Sequence, residues 1–475
     1  MRIAMVTSEC EPFAKTGGLA DVVDALARAL GQLGHEVDVY LPRYRGLEPP
    51  GPTERTDLRI PTGLGGQVAV SVLSAQARGY RLRLVDHPQS FDRPNYYGED
   101  GADYPDNGFR FSLLGRTALE QMRVEGRAAD IVHAHDWEGV PAILLLRHRY
   151  GATAALGAPG TILTCHNLAY HGWVPRDQVA PQLDLPDEVG MPAGVDLLYE
   201  GVLAADMVNT VSPTYARESL TPEYGAGLDE ALRYRGDRYV GIINGIDTDL
   251  WNPETDVDIP ARYSAANLAG KAVCRAALCE ELGLDPLGPI FAMVSRLDPQ
   301  KGFDLLAAAA WQMLADGARI CVLGTGDHAL VEGLRSLAAH YPSRLAVEER
   351  FDRTLARRMY AGADCFLMPS RFEPCGQGQM ISMRYGTIPI VRATGGLADT
   401  VIDADAQPDA GNGFSFYDAD SAPLVDASRR AMAAMTDGPR WRAIQARAMA
   451  ADHSWRGPAR EYVAAYRRAI GIAAG

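Results

Sequence analysis

The sequence predicts an α/β protein of two domains, each organised around a parallel β-sheet. At 475 residues the chain is longer than one hydrophobic core usually organises. Short apolar runs typical of strands alternate with helical patterns near the start of the chain and again beyond residue 290. The hexapeptide Thr-Gly-Gly-Leu-Ala-Asp also occurs in both halves, at positions 16–21 and 394–399.

The beginning of the chain has the order strand, loop, helix, strand. Residues 3–6 are an apolar run that predicts a strand, and the glycine-rich loop 15–18 follows it. From Leu19 to Leu33, apolar residues recur at the spacing of one helix face. Residues 37–41 predict the next strand, which completes the repeating unit of a parallel sheet.

The same order recurs in the second half of the chain. Apolar runs predict strands at 290–295, 320–323, 365–368 and 388–391, and a helix is expected to begin at Phe303. A second α/β domain of the same type follows from this repetition.

A polar, proline-bearing stretch at 252–256 indicates the connection between the two halves. We therefore predict a domain of residues 1–241 and a second domain of residues 242–454. From its pattern alone, the amphipathic segment 455–470 can pack on either domain.

The composition argues against several classes of function. The formal net charge of −14 disfavours a nucleic-acid partner, because phosphate contacts along a nucleic acid need a basic face. No run of 18 apolar residues is present to span a membrane, and the first apolar run is too short for a secretory signal. The seven cysteines are odd in number and form no C-x-x-C pair, which indicates a reducing, cytoplasmic location.

The repeated hexapeptide has two interpretations. Each copy follows a strand-like region and precedes a helical pattern, so its glycines can simply satisfy the sterics of a tight turn. Alternatively, each copy presents the N-terminus of a helix to an anion, since such ends carry free N–H groups and partial positive charge.

Arg296 and Lys301 lie five residues apart in a loop between a predicted strand and a predicted helix. A departing nucleoside diphosphate gains negative charge, so fixed cations in such a loop stabilise the transition state more than the ground state. An ordinary solvated loop with surface cations is the alternative.

Glu373 and Cys375 follow the apolar run 365–368, at the strand end where open α/β sheets bind ligands. Glu373 is a candidate to accept hydrogen bonds from sugar hydroxyls, with a helix cap or an ion-pair acid as the alternative. Cys375 lacks an identifiable catalytic partner, and we interpret it as a small wall residue.

The histidine motifs 133–137 and 164–167 also end apolar runs. Their spacing matches no established metal site, and polar contacts to a sugar are favoured. A competing signal is the sequence Gly324-Thr325-Gly326 followed by Ala329, with Glu348 further along. Alone, it would indicate an NAD-dependent oxidoreductase.

Taken together, the motifs resemble the bacterial glycogen synthases and plant starch synthases, which are retaining glycosyltransferases of the two-domain GT-B fold. The likeness extends over essentially the whole chain through Thr7-Ser8-Glu9-Cys10, Lys15-Thr16-Gly17-Gly18-Leu19, His135-Asp136-Trp137, His166-Asn167, Val211-Ser212-Pro213, Asn244-Gly245-Ile246-Asp247, the Arg296/Lys301 loop, Glu373-Pro374-Cys375-Gly376, Thr394-Gly395-Gly396-Leu397 and Ser454-Trp455.

The resemblance implies two Rossmann-like domains whose parallel sheets face a deep interdomain cleft. Domain 1–241 would lie on the acceptor side, domain 242–454 would bind the nucleotide sugar, and the helix 455–475 would return to the first domain. The implied catalytic residues are Glu373, His166, Arg296 and Lys301. The implied donor-binding residues are Lys15, Gly17, Gly18, Asp21, Asp136, Asn244, Phe351, Cys375 and Gly378. The family needs no metal or cofactor.

Two positions depart from the family pattern. Gln377-Gly378 stands where the family usually has Leu-Thr, so a threonine hydroxyl is absent and only the Gly378 N–H is available to a phosphate. Phe351 stands where a tyrosine commonly stacks on the adenine, so the ring is kept without its hydroxyl.

The resemblance implies transfer of glucose from ADP-glucose to the non-reducing 4-hydroxyl of an α-1,4-glucan such as glycogen, with retention and release of ADP. It favours front-side attack, and a covalent intermediate stays open. UDP-glucose is the alternative donor. An NAD-dependent oxidoreductase and a catalytically silent glucan-binding protein are the alternative functions.

Overall fold

The computed structural model of the protein describes residues 1–151 and 156–474. Their contacts divide the chain into two units. The first comprises Met1–Gly245 together with the C-terminal segment that begins at Trp455, and the second is Ile246–Ser454. The division follows Gly245, a few residues beyond the last strand of the first unit, whereas the sequence analysis sets it directly after that strand.

The first unit contains a nine-stranded sheet and two short two-stranded sheets. Its strands are β1 (Arg2–Val6), β2 (Glu36–Pro42), β3 (Thr53–Pro61), β4 (Gln67–Gln76), β5 (Arg81–Asp86), β6 (Gly98–Glu99), β7 (Ala102–Asp103), β8 (Ile131–His135), β9 (Gly160–Cys165), β10 (Trp173–Pro175), β11 (Gly194–Asp196), β12 (Met207–Thr210) and β13 (Tyr239–Gly241). The large sheet has the order β13-β12-β9-β8-β1-β2-β5-β4-β3.

The pairs from β13 across to β5 are parallel, while β4 is antiparallel to both β5 and β3. The sequence analysis predicts a parallel sheet and does not include this antiparallel edge. The strand β3 lies at the edge and alternates between exposed and buried residues only at its end, so it lacks the continuous apolar run of a central strand.

Helices cover the sheet of the first unit. They are α1 (Gly18–Gln32), α2 (Pro88–Phe91), α3 (Asn107–Glu125), α4 (Asp136–Leu145), α5 (Arg176–Gln178), α6 (Leu197–Ala204), α7 (Pro213–Glu218) and α8 (Asp229–Arg235). The helix α1 buries the apolar face that the spacing from Leu19 predicts, including Val22, Leu26 and Leu30.

The second unit has one six-stranded sheet, wholly parallel, in the order β16-β15-β14-β17-β18-β19. Its strands are β14 (Ile290–Val294), β15 (Arg319–Leu323), β16 (Leu345–Glu348), β17 (Cys365–Met368), β18 (Ile388–Arg392) and β19 (Phe414–Phe416). Its helices are α9 (Ala269–Leu282), α10 (Phe303–Ala315), α11 (His328–His340), α12 (Arg353–Gly362), α13 (Gly378–Arg384), α14 (Gly395–Thr400), α15 (Ser421–Thr436) and α16 (Gly438–Ala450).

The last helix, α17 (Arg456–Ala473), belongs to the first unit and packs on β9, β12 and α1. Its buried face presents Tyr462 and Tyr466 to the sheet, where Tyr466 hydrogen-bonds His133. The predicted α/β architecture is confirmed, and the strands expected in both halves form within a residue or two of their predicted ends. Among the described residues, no helix is long and apolar enough to cross a membrane.

Candidate active site

The loops that carry the sequence motifs lie at the switch point of each large sheet, where successive strands begin to be added toward the opposite edge. In the first sheet, β1 and β8 are neighbours, and the chain continues from them toward opposite edges. In the second sheet, β14 and β17 are the corresponding neighbours. A crevice opens beyond the carboxyl ends of strands at such a switch point, and it is the usual ligand site of open α/β sheets. Each unit therefore carries its own candidate ligand site.

In the second unit, the switch point brings together Lys301 after β14 and Glu373 after β17. Lys301 Nζ lies 2.7 Å from Glu373 Oε2, although the two residues are 72 positions apart in sequence. Ser370 Oγ also donates to Glu373 Oε2, at 3.1 Å. The Glu373 side chain is only 7% exposed, so the ion pair is shielded from solvent and its geometry is constrained.

This pair lines a cavity of about 130 Å³. Besides Lys301 and Glu373, the wall includes Ser295, Ser370 and Gly378. A cavity with a paired cation and carboxylate at its edge can hold an anionic group next to a hydroxylated one.

Arg296 precedes this cavity in the loop after β14. Its side chain is 65% exposed, and its nearest acid is Asp298 at 3.5 Å. Asp298 in turn caps the short turn 299–301 by accepting from the backbone N–H of Lys301 at 3.0 Å. Arg296 is thus held loosely, and its guanidinium can turn toward a diphosphate in a forked geometry.

The second copy of the repeated hexapeptide packs against the Glu373 loop. Gly396 N donates to the Glu373 carbonyl at 3.1 Å, and a Cβ at Gly395 or Gly396 would lie within 2.2 Å of the carbonyl oxygen of Glu373 or Cys375. These glycines therefore permit a close backbone approach that positions Glu373, as the steric interpretation of the hexapeptide expects.

Gly324 and Gly326, which alone would indicate a dinucleotide-binding motif, have a similar packing role. A Cβ at Gly324 would meet the Ser295 carbonyl oxygen at 1.8 Å, and one at Gly326 would meet the Leu297 carbonyl oxygen at 2.1 Å. Both glycines support the loop that carries Arg296. Their presence is explained without a dinucleotide.

Three further predicted residues lie in the second unit with different exposures. Phe351 follows β16 and is 83% exposed, so its ring face is open to a planar ligand. Cys375 is buried. Gly378 begins α13, and a Cβ there would meet the Phe366 ring at 2.8 Å, so the threonine usual in the family would require that ring to move.

In the first unit, the loop after β1 holds Lys15, Gly17 and Gly18. Lys15 Nζ forms an ion pair with Asp21 at 2.6 Å and approaches Glu11 at 3.7 Å. A Cβ added at Gly17 or Gly18 would meet nothing within 4 Å, so the backbone there borders open space. In contrast to the second copy of the hexapeptide, this copy leaves room for a ligand.

The first unit also joins Asp136 after β8 to His166 after β9. Asp136 Oδ1 accepts from the backbone N–H of His166 at 2.6 Å and of Asn167 at 3.4 Å. Asp136 has a φ of +50°, which is costly for a residue with a side chain. Burial raises the pKa of its carboxyl to about 7, against the opposing effect of the two N–H donors.

We expect Asp136→Asn to stabilise the fold at neutral and alkaline pH while impairing function. In the folded protein, the pKa of the Asp136 carboxyl lies above the value of about 4 expected in the unfolded chain. The contribution of this carboxyl to the stability of the fold is therefore fully present below pH 4 and is lost as the pH rises through 7. Asparagine stays neutral, tolerates a positive φ and keeps an oxygen acceptor for the His166 N–H.

Thermal unfolding at pH 5 and pH 8 checks this expectation. The variant should unfold at a higher temperature than the wild type at pH 8, with a gain of about 1–3 kcal/mol, and the gain should shrink at pH 5. An Asp136→Asn protein that is equally or less stable at pH 8 would contradict it.

Three histidines form a cluster beside Asp136, of which His133 and His135 are buried and His166 is half-buried. His135 Nδ1 lies 3.0 Å from His166 Nε2, and His133 packs on the His135 ring at 4.0 Å between ring centroids. Burial lowers the pKa of all three, that of His166 to about 3, so they are neutral at physiological pH. Within residues 1–151 and 156–474, no group of three or more His, Cys, Asp or Glu side chains is arranged to hold a metal ion.

Asn244, the last predicted residue, lies after β13 and is buried. Its side-chain oxygen accepts no hydrogen bond from the described residues. A buried, unsatisfied amide oxygen costs free energy, so it marks a position where a ligand hydroxyl or a water can donate.

Two acidic residues of the candidate site in the first unit, Glu9 and Glu138, are not among the residues predicted from the sequence. Glu9 is buried after β1, and Glu138 is buried in the first turn of α4 with a raised pKa caused first by burial and then by Asp136. The available signal was the position of Glu9 immediately after the first predicted strand and of Glu138 two residues after Asp136. An acid in a predicted helix turn is usually a solvated cap, so the pattern alone does not distinguish it.

Comparison with known proteins defines the class. The sequence matches the family described as "Starch synthase catalytic domain" over residues 2–234 and "Glycosyl transferases group 1" over residues 277–442. With two Rossmann-like units whose charged loops lie at the switch points, the protein is a glycosyltransferase of the GT-B fold.

Full-length relatives narrow the class further. A glycogen synthase of Anaeromyxobacter sp. (strain Fw109-5) is 46% identical over 98% of this chain and 99% of its own, and one of Opitutus terrae is 42% identical over the same shares. The catalytic domain of starch synthase IV from Arabidopsis thaliana, bound to ADP and acarbose, is 32% identical with a TM-score of 0.89 over 99% of both chains. The chain belongs to the family of bacterial glycogen synthases and plant starch synthases.

A sucrose-phosphate synthase of Thermosynechococcus elongatus has the same fold, with a TM-score of 0.63 over 99% of both chains. At 18% identity it shows the architecture alone.

Proposed function

We propose that this protein transfers glucose from ADP-glucose to the non-reducing 4-hydroxyl of an α-1,4-glucan, with retention of configuration and release of ADP. The observation that carries the proposal is the shielded Lys301–Glu373 ion pair beside a cavity at the switch point of the second sheet. A pair of this kind supplies a cation for the departing diphosphate and a carboxylate for the sugar. Family membership and the ADP-bound Arabidopsis relative support the choice of donor.

In the second unit, Arg296 and Lys301 bind the diphosphate, and their charge counts most when the bond to the sugar breaks. Glu373 accepts hydrogen bonds from glucose hydroxyls and stabilises positive charge at the anomeric carbon. The exposed Phe351 ring stacks on the adenine, the Gly378 N–H donates to phosphate, and Cys375 forms part of the wall.

In the first unit, His166 contacts the glucosyl group, and its backbone carbonyl faces the anomeric carbon. Lys15 and the open Gly17-Gly18 backbone contact the donor. Asp21 orients Lys15 through their ion pair, while Asp136 and Asn244 complete the sugar contacts. The neutral state of His166 lets one ring nitrogen donate and the other accept.

An assay with two donors tests the proposal. The purified protein is incubated with a malto-oligosaccharide primer and either ADP-glucose or UDP-glucose, and both nucleotide release and chain lengthening are measured. We expect ADP release matched mole for mole by added glucose, and β-amylase should remove the new residues because their linkages are α-1,4. Extension from UDP-glucose alone would overturn the donor, whereas nucleotide-independent glucan binding without extension would indicate a catalytically silent binder.

The same assay tests the expectation that no metal takes part. Addition of EDTA should leave the rate unchanged, because the proposed charge stabilisation comes from Arg296 and Lys301. A strict requirement for Mg²⁺ or Mn²⁺ would overturn this part of the proposal.

A cytoplasmic location also belongs to the proposal. All seven cysteines lie in the described part of the chain, and all are buried and outside any disulfide. Buried cysteines that form no disulfide fit a reducing compartment, where disulfides do not persist. Fractionation of the native host tests the location, and recovery of the protein outside the cytoplasmic fraction would contradict it.

A further inference from the structure

Glu9 lies in the candidate site of the first unit, and the resemblance assigns it no role. It follows β1 and is 3% exposed. Its carboxylate accepts four hydrogen bonds: from Thr16 N at 2.5 Å, Thr16 Oγ1 at 2.5 Å, Gly17 N at 3.2 Å and the Tyr97 hydroxyl at 2.6 Å. Every partner is a donor, so an ionised carboxylate satisfies all of them and uses its full acceptor capacity.

Glu9 thereby occupies the start of α1. Gly17 is the N-cap residue of this helix and has no side chain with which to cap it. The Glu9 carboxylate accepts from the N–H of this N-cap residue, and its negative charge offsets the partial positive charge of the helix end. The N–H groups of Thr16 and Gly17 are therefore already bonded to Glu9.

The Glu9 carboxylate connects the Lys15–Gly18 loop to the segment that contains Tyr97. Tyr97 donates to Glu9, and its hydroxyl also lies 2.9 Å from Ser8 Oγ. The Tyr97 carbonyl accepts from the Asn107 side chain at 2.8 Å, which ties the segment to the beginning of α3. Movement of the Lys15–Gly18 loop is thus opposed by contacts that extend to the body of the unit.

We infer that Glu9 is a positioning residue for glucosyl transfer, a role that rests on the proposed function. It holds the Lys15–Gly18 loop so that the Lys15 ammonium and the open Gly17-Gly18 backbone face the donor, while the N–H groups of Thr16 and Gly17 stay bonded to Glu9. Removal of Glu9 frees the loop, so Lys15 is no longer held in place and donor affinity falls, while Arg296, Lys301 and Glu373 of the second unit are unchanged.

Steady-state kinetics of Glu9→Gln and Glu9→Ala test the inference. Each hydrogen bond to a charged group is worth enough to change an equilibrium about tenfold or more. We therefore expect the KM for ADP-glucose to rise about tenfold in Glu9→Gln and further in Glu9→Ala, with kcat changed by less than about threefold. Glu36→Gln is the matched control, since Glu36 is a surface carboxylate at the start of β2 that pairs with Arg127 at 2.7 Å and accepts none of the four hydrogen bonds, so KM should stay within about twofold.

Hydrogen exchange supplies a readout that needs no activity. The Thr16 and Gly17 amides should exchange faster in Glu9→Gln and Glu9→Ala than in the wild type, while α1 beyond its first turn keeps its protection. Tyr97→Phe removes one of the four hydrogen bonds and should produce a smaller change in the same direction.

The outcomes separate the two claims. Unchanged KM in both Glu9 variants, or unchanged exchange at Thr16 and Gly17, would overturn the role of Glu9 even if the wild type is active. A wild type that uses neither ADP-glucose nor UDP-glucose would overturn the proposed function, and the exchange experiment would still decide whether Glu9 holds the loop. If Glu9→Ala fails to fold, the isosteric Glu9→Gln and Tyr97→Phe decide the matter.

Discussion

Glu373→Gln is expected to lower kcat/KM for glucosyl transfer by about 10³-fold while the protein remains folded. Glutamine has nearly the size of glutamate and can still accept from Ser370 and Lys301, so the cavity keeps its shape. The variant loses the negative charge that balances Lys301 and that, in the proposed function, stabilises positive charge at the anomeric carbon. Because that stabilisation is needed mainly in the transition state, kcat should fall more than KM rises.

Ser370→Ala is the matched control for Glu373→Gln. It removes one hydrogen bond to the same carboxylate oxygen and leaves the charge, so a loss of only a few-fold is expected. Full activity of Glu373→Gln with ADP-glucose would reject the role of the carboxylate. An equal loss in Ser370→Ala would show that cavity geometry, rather than charge, is the cause.

Lys301→Ala is expected to cost about 2–4 kcal/mol of transition-state stabilisation, because it removes one of the two preorganised cations that we propose for the departing diphosphate. The change also leaves Glu373 without its ion-pair partner in a shielded position, so the melting temperature should fall as well. Kinetics and thermal unfolding, measured on the same preparation at a temperature where the variant is folded, separate the two effects.

Two further variants serve as controls for the prediction on Lys301→Ala. Arg371→Ala removes a nearby cation that is neutralised by Asp304 at 2.6 Å, and its kcat/KM should stay within about threefold of the wild type. The double variant with Glu373→Gln should lose less than the sum of the two single losses, because the partners act as a unit. A kcat/KM of Lys301→Ala within threefold of the wild type would remove this residue from the mechanism.

The second unit shows which features a local sequence pattern predicts and which depend on the tertiary structure. The apolar runs predict β14 and β17 individually, and the residues after them identify Lys301 and Glu373 as candidates. Only strand pairing makes β14 and β17 neighbours and brings side chains 72 positions apart to 2.7 Å. The sequence left the role of Gly324 and Gly395 open for the same reason. Each is required because a Cβ there would collide with a carbonyl oxygen of a loop distant in sequence.

The sequence by itself determined that this protein is α/β, has two similar halves and carries its charged motifs after predicted strands. These features are local, because the period of apolar residues reports which face of a helix or strand is buried. The tertiary structure decided the antiparallel edge at β3 and β4, the placement of α17 on the first unit, and the four-bonded Glu9 carboxylate at the start of α1. Each depends on contacts between residues far apart in the chain, which a periodic pattern does not record.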